Sequence, residues 1–168
     1  MDHSAHQKPQ NNKKEYLKFA AVIVYIAFLA IVHTNVRGFS TLQFLESFMG
    51  SFFLVFGSFK LRNLREFAYG FMSYDIIARR SLAYSYLYPF IQIAFAASYL
   101  LLVNGWIVDL LVLIISLVSS IGVVQEISRG SKIRCVCLGS VIKLPLSRIS
   151  IVEDFGMAIM AAAMLVLR

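Results

Sequence analysis

The sequence predicts an all-α membrane protein that crosses the bilayer several times, and three observations predict it. Of 168 residues, 59% are hydrophobic and 15% charged, and the mean hydropathy is +0.73, far from the composition of a soluble domain. The apolar residues fall into five runs of roughly 18 to 21 residues, the length a helix needs to cross ~30 Å of hydrocarbon. These runs are continuous in Leu, Ile, Val and Phe, without the alternation of barrel strands. Helices also pair every backbone N–H and C=O within one segment, as hydrocarbon demands.

Taken in order, residues 1–16 are polar, carry His3, His6, Lys8, Lys13 and Lys14, and lack an apolar pattern, so a disordered tail is expected. Residues 17–34 form the first run. Its basic flank and apolar core resemble a signal peptide, but the core is long and no A-x-A cleavage site follows, which predicts an uncleaved anchor. The second run, 42–62, is rich in Phe and carries Ser47, Gly50, Ser51, Gly57 and Ser58, small residues that let another helix approach closely. Residues 64–81 mix aromatic and basic side chains, too polar to span and too apolar for a loop. An interfacial or re-entrant helix is expected there, with Asp75 capping its last part.

The third run, 82–103, has Pro89 near its start, where a missing N–H costs little. Asn104 and Gly105 turn the chain directly into the fourth run, 106–126, so an antiparallel hairpin is expected. Residues 128–148 are short alternating segments broken by Gly130, Gly139 and Pro145. The last run, 150–167, opens with the capping-box pair Ser150 and Glu153, which also places Glu153 and Asp154 at the positive end of the helix dipole.

The formal charge of +7 does not indicate nucleic-acid binding, because no basic segment carries the pattern of such a module. The cations sit at helix ends, where they meet anionic lipid headgroups. Fourteen of the 16 Lys and Arg residues fall before or at the start of the first run, in 60–80 or in 129–148, all on one side of a five-span topology. The N-terminus and the 128–148 loop are therefore expected in the cytoplasm, with the protein in a bacterial inner membrane.

Cys135 and Cys137 are the two cysteines of the chain. In an extended segment they point to the same face, so both sulfurs can meet one partner. A cytoplasmic location disfavours a structural disulfide. Arg129, Lys132, Arg134 and Lys143 make the loop positive, which favours the thiolate. Two chemistries suit such a pair: thiol–disulfide exchange with a disulfide-containing or thioredoxin-like protein, which would make the chain an oxidoreductase, or ligation of a soft ion, Cu(I) or Zn. The bland alternative is two small apolar side chains that only pack, in a non-catalytic assembly factor.

Met157, Met160 and Met164 share one helical face, and their thioethers are either Cu(I) ligands or gap-fillers. Asp109, Glu153 and Asp154 are the intramembrane carboxylates suited to proton coupling. They, Glu46, Gln92 and Glu126 lie mostly near run ends, where the interface is expected to satisfy them. No phosphate-binding loop, H-E-x-x-H or G-x-S-x-G is present, so a kinase or hydrolase has no support, and no cofactor is required.

The stretches GSFFLVFGSFKLRNLREF, YLYPFIQIAFAASYLL, RCVCLGS and LPLSRISIVEDFGM resemble the MauE/DoxX group of redox-associated membrane proteins. The resemblance covers residues 47–167, with 1–46 outside it. It implies a DoxX-like four-helix transmembrane bundle over 42–167, to which 17–34 adds an N-terminal anchor helix. It also implies a role in thiol chemistry or export during methylamine utilisation, in maturation of a disulfide-rich enzyme subunit. The group's loop motif is of the C-G-C type. Val136 replaces that glycine here, keeping both thiols but stiffening the backbone between them. Similar chains joined to heavy-metal-binding domains leave the metal alternative open.

Overall fold

The computed structural model describes residues 12–38, 40–101, 105–128 and 146–168, and all regular structure among them is helical. Helix α1 (Asn12–Arg37) leads into α2 (Thr41–Arg62), the short α3 (Leu64–Phe71) and a 3₁₀ turn (Ala78–Arg80). Helices α4 (Leu82–Leu100), α5 (Trp106–Ser128) and α6 (Leu146–Leu167) follow. By length and apolarity, α1, α2 and α5 qualify as membrane spans over Tyr16–Val36, Thr41–Arg62 and Trp106–Glu126.

Helix α2 starts where Ser40 caps it, its Oγ accepting from Gln43 N at 3.2 Å. It packs most extensively on α4, as α5 does on α6, while α4 and α5 touch little. The expected hairpin partners are thus chain neighbours without being packing neighbours. The reason lies in the small residues of α2. A Cβ on Gly50 would lie 2.8 Å from Leu100 Cγ, and one on Gly57 2.8 Å from Ile93 Cδ1, so these two glycines set the α2–α4 separation. Ser58, one of the small residues expected to admit another helix, is exposed and returns its hydroxyl to Leu54 O at 2.6 Å.

The apolar core gathers Met49, Phe52, Phe53 and Phe56 of α2, Tyr88 and Tyr99 of α4, Val112 and Val123 of α5, and Met157, Ala161 and Met164 of α6. Phe52 and Phe56 stack with centroids 4.2 Å apart. Helix α1 begins at Asn12, ahead of the apolar run, and buries Ile26, Ala30 and Thr34. Its remaining faces are exposed apolar surface, including Val24, Phe28 and Val36.

Residues 64–81 are an amphipathic element, as their composition predicts. Phe67, Ala68 and Phe71 of α3 are buried while Arg65, Glu66 and Tyr69 are exposed. Asp75 caps the 3₁₀ turn, Oδ1 accepting from Ile77 N at 2.9 Å and Ala78 N at 2.8 Å. Burial pushes the Asp75 carboxyl above the usual carboxylate range, against those two bonds and the nearby Arg79 charge.

This element docks onto α5 at Gly122, where a Cβ would lie 2.6 Å from the Tyr74 carbonyl oxygen. Gly122→Ala is therefore expected to cost about 1–3 kcal/mol through overpacking against backbone. Gly156→Ala, with open space around it, is the neutral control. Thermal unfolding in detergent, with limited proteolysis of 64–81, checks both; equal behaviour of the two variants would remove the proposed contact.

Two expectations for helix ends are corrected. Pro89 is the eighth residue of α4, past the first turn, so its missing N–H does cost a helical bond. Helix α6 starts at Leu146, which puts Ser150 inside the helix and leaves no capping box with Glu153. Glu153 is held instead across the bundle by a cation, an interaction stronger than a local cap.

Candidate functional site

Three helices carry a bundle-facing stripe with charge at both ends and apolar or small residues between. On α2 the stripe runs Glu46, Met49, Gly50, Phe53, Phe56, Gly57, Lys60, and on α5 Asp109, Val112, Ser116, Ser119, Val123, Glu126. On α6 it runs Glu153, Asp154, Met157, Ala161, Met164, Arg168. The exposure of these side chains confirms the 3–4 spacing, because nearly all are buried. At 1.5 Å per residue the charged ends of each stripe lie about 21–26 Å apart, just inside a ~30 Å hydrocarbon layer.

At the end where α2 finishes and α6 begins, Lys60 Nζ donates to Glu153 Oε1 at 3.0 Å, with side-chain exposures of 3% and 5%. The ammonium also lies over the rings of Phe67, 5.4 Å from its centroid, and Tyr88, 5.2 Å. These faces supply attraction to a cation that water would otherwise solvate. Ser119 Oγ donates to Asp154 Oδ2 at 3.0 Å. Arg79 ties the interfacial element to α5, donating to the Glu126 carboxylate and, at 2.8 Å, to Ser73 O.

At the opposite end, Arg168 joins two helices. Its Nε donates to Asp109 Oδ2 at 3.0 Å and its Nη2 to Glu46 Oε1 at 2.7 Å. Tyr99 Oη donates to the other Asp109 oxygen at 2.9 Å. Each of α2, α4, α5 and α6 thus contributes to this layer. His33 Nδ1 lies 2.8 Å from Ser47 Oγ nearby and links α1 to α2.

The carboxylates expected at a hydrated interface are therefore buried. Glu46, Asp109, Glu126, Glu153 and Asp154 are all below 9% exposed, and each meets a side chain from another element. Among the described residues, the buried side-chain acceptors without a hydrogen-bond partner are Gln92 Oε1 and Glu153 Oε2. Gln92 borders a cavity of ≈ 10 Å³ shared with Tyr88 and Ser116, at the lower limit of space for one water.

Of the residues singled out for chemistry, Asp109 falls in one ionic layer and Glu153 and Asp154 in the other, so the structure separates them. Met157 and Met164 lie in the apolar core, and Met160 packs against it. Cys135 and Cys137 lie outside the described residues. Lys60 and Arg168 escape a reading by charge alone, which counts them as headgroup-facing cations at a helix end and at the last residue. The signal that finds them is position, since each continues a buried stripe at helical spacing.

Comparison with models of known families matches residues 20–167 to the family described as Methylamine utilisation protein MauE. The match takes in most of α1 together with the later helices. No curated protein and no solved structure matches the chain.

Proposed function

The chain belongs to the MauE family, and from that premise we propose that it is a five-span membrane protein of methylamine utilisation that exchanges disulfides with a partner protein through Cys135 and Cys137. The observation that carries this reading is that the family match runs through residues 129–145, the segment holding both thiols. Helices α4 and α6 are read as spans because they run between the same two ionic layers as α2 and α5. The excess of Lys and Arg on the side of α1's start assigns that side to the cytoplasm of an inner membrane.

In the proposed step, the thiolate of one cysteine attacks a sulfur of the partner's disulfide. A mixed disulfide forms and one partner thiolate leaves. The second cysteine's thiolate then attacks the mixed disulfide, which closes Cys135–Cys137 and releases the partner as a dithiol. Two electrons pass to the partner, and a thioredoxin-like dithiol restores the starting state by the same route. Cys135 lies seven positions after Ser128, so chain connectivity keeps its Cα within about 25 Å of the end of α5. The Lys60–Glu153 layer supports the reading by fixing the ends of α5 and α6 that bracket the loop.

Both thiols are expected to titrate together in glutathione redox buffers as one two-electron step. An impermeant maleimide is expected to label them in opened vesicles but not in intact cells. Cys137→Ser is expected to abolish the two-electron step and to leave a mixed disulfide with glutathione on Cys135. Labelling in intact cells would refute the orientation; independent titration of the two thiols would sink the exchange mechanism.

A further inference from the structure

Helix α1 meets α2 along one side only, and between them runs a groove of ≈ 370 Å³ lined by Tyr25 and Leu29 of α1 and by Leu54, Val55, Ser58, Phe59 and Arg62 of α2. Apart from Ser58 its walls are apolar over about one and a half turns of α2, from Leu54 to Phe59. It ends at Arg62, an exposed cation in the last turn of α2 with no acidic partner among the described residues. The exposed Arg65 follows on α3. The polar end is the basic end of the bundle, and the apolar end points toward the bilayer middle.

We propose that this groove binds one acyl chain of an anionic phospholipid, with the lipid phosphate on Arg62. The assignment follows from charge and depth together. A guanidinium matches a phosphate through parallel N–H donors, and Leu54 lies eight residues from Arg62, about 12 Å along the helix axis, the depth an acyl chain reaches below its headgroup. A neutral hydrophobic ligand would use the walls and leave Arg62 without a counter-ion. A second copy of α1 would have to bring an acidic residue to Arg62, but Glu15 is the one acidic residue of that helix and lies at its edge, beside Lys13, Lys14 and Lys18. The bound lipid fills the gap left by the one-sided α1–α2 contact. The site stands independently of the thiol reading.

The test uses the full chain purified in detergent and mixed with equimolar phosphatidylglycerol and phosphatidylethanolamine, with bound lipid read by native mass spectrometry. One phosphatidylglycerol is expected to be retained about tenfold over phosphatidylethanolamine. Arg62→Gln is expected to erase that preference while some lipid still binds. Ser58→Phe, which sets a bulky ring in the groove wall, is expected to reduce binding of both lipids with helical content unchanged by circular dichroism. Equal retention of the two lipids by the unaltered chain would overturn the proposal. So would an undiminished phosphatidylglycerol preference in Arg62→Gln, or a lipid-free dimer that Ser58→Phe disrupts.

Discussion

Lys60→Met is expected to destabilise the protein by about 3–5 kcal/mol, because it leaves the Glu153 carboxylate buried without its cation. Glu153 lies 3.0 Å from the Lys60 ammonium, and both side chains are almost wholly enclosed. Methionine keeps most of the lysine's volume, so the cost is electrostatic and not a cavity. The two aromatic faces over the ammonium lose a cation but keep an apolar neighbour, a smaller loss. The double variant Lys60→Met/Glu153→Leu isolates the cause. A buried pair replaced by apolar groups of similar size is often neutral or better, so the double variant is expected to recover most of the stability. Thermal unfolding of the four proteins in one detergent gives the cycle. If the double variant is as unstable as Lys60→Met, the damage lies in packing at α2 and not in an orphaned charge.

The same pair marks where sequence reading succeeds and where it stops. The multi-span helical fold is legible because hydrocarbon leaves few alternatives: an apolar run of adequate length has to be a helix. The amphipathic 64–81 segment and its Asp75 cap are legible because both depend on local chemistry. Which helices pack together is not local. Helices α4 and α5 follow each other in the chain, yet α4 packs on α2, where Gly50 and Gly57 allow the close approach. Charge reading fails in a related way. Counting Lys60 as a headgroup-facing cation at a helix end ignores that it lies seven residues after Phe53 and three after Gly57, on a face already committed to the core. The carboxylates are misplaced for the same reason, since nearness to a helix end does not mean contact with water. What Cys135 and Cys137 meet depends on residues 129–145, whose sequence is neither periodic enough for a helix nor regular enough for a sheet.

At the other end of the bundle, Arg168→Met is expected to cost about 2–4 kcal/mol: one cation there serves two buried carboxylates, but its own side chain is 24% exposed, which screens part of the effect. Asp109 is completely buried and Glu46 is 5% exposed. Tyr99 gives Asp109 one hydrogen bond but no charge. Removing the guanidinium sets two like charges in the same dry layer, which adds repulsion to desolvation. Arg168→Lys separates charge from geometry. An ammonium restores the charge but not the fork that reaches Asp109 through Nε and Glu46 through Nη2 together, so partial recovery is expected. The layer ties α2, α5 and α6 across the bundle, so its loss is expected to free α6 first. Faster hydrogen exchange in 157–167 than in α2 would report that order, whereas uniform exchange through all the helices would mean that the bundle opens as a single unit. Full stability in Arg168→Lys would show that charge alone holds the layer.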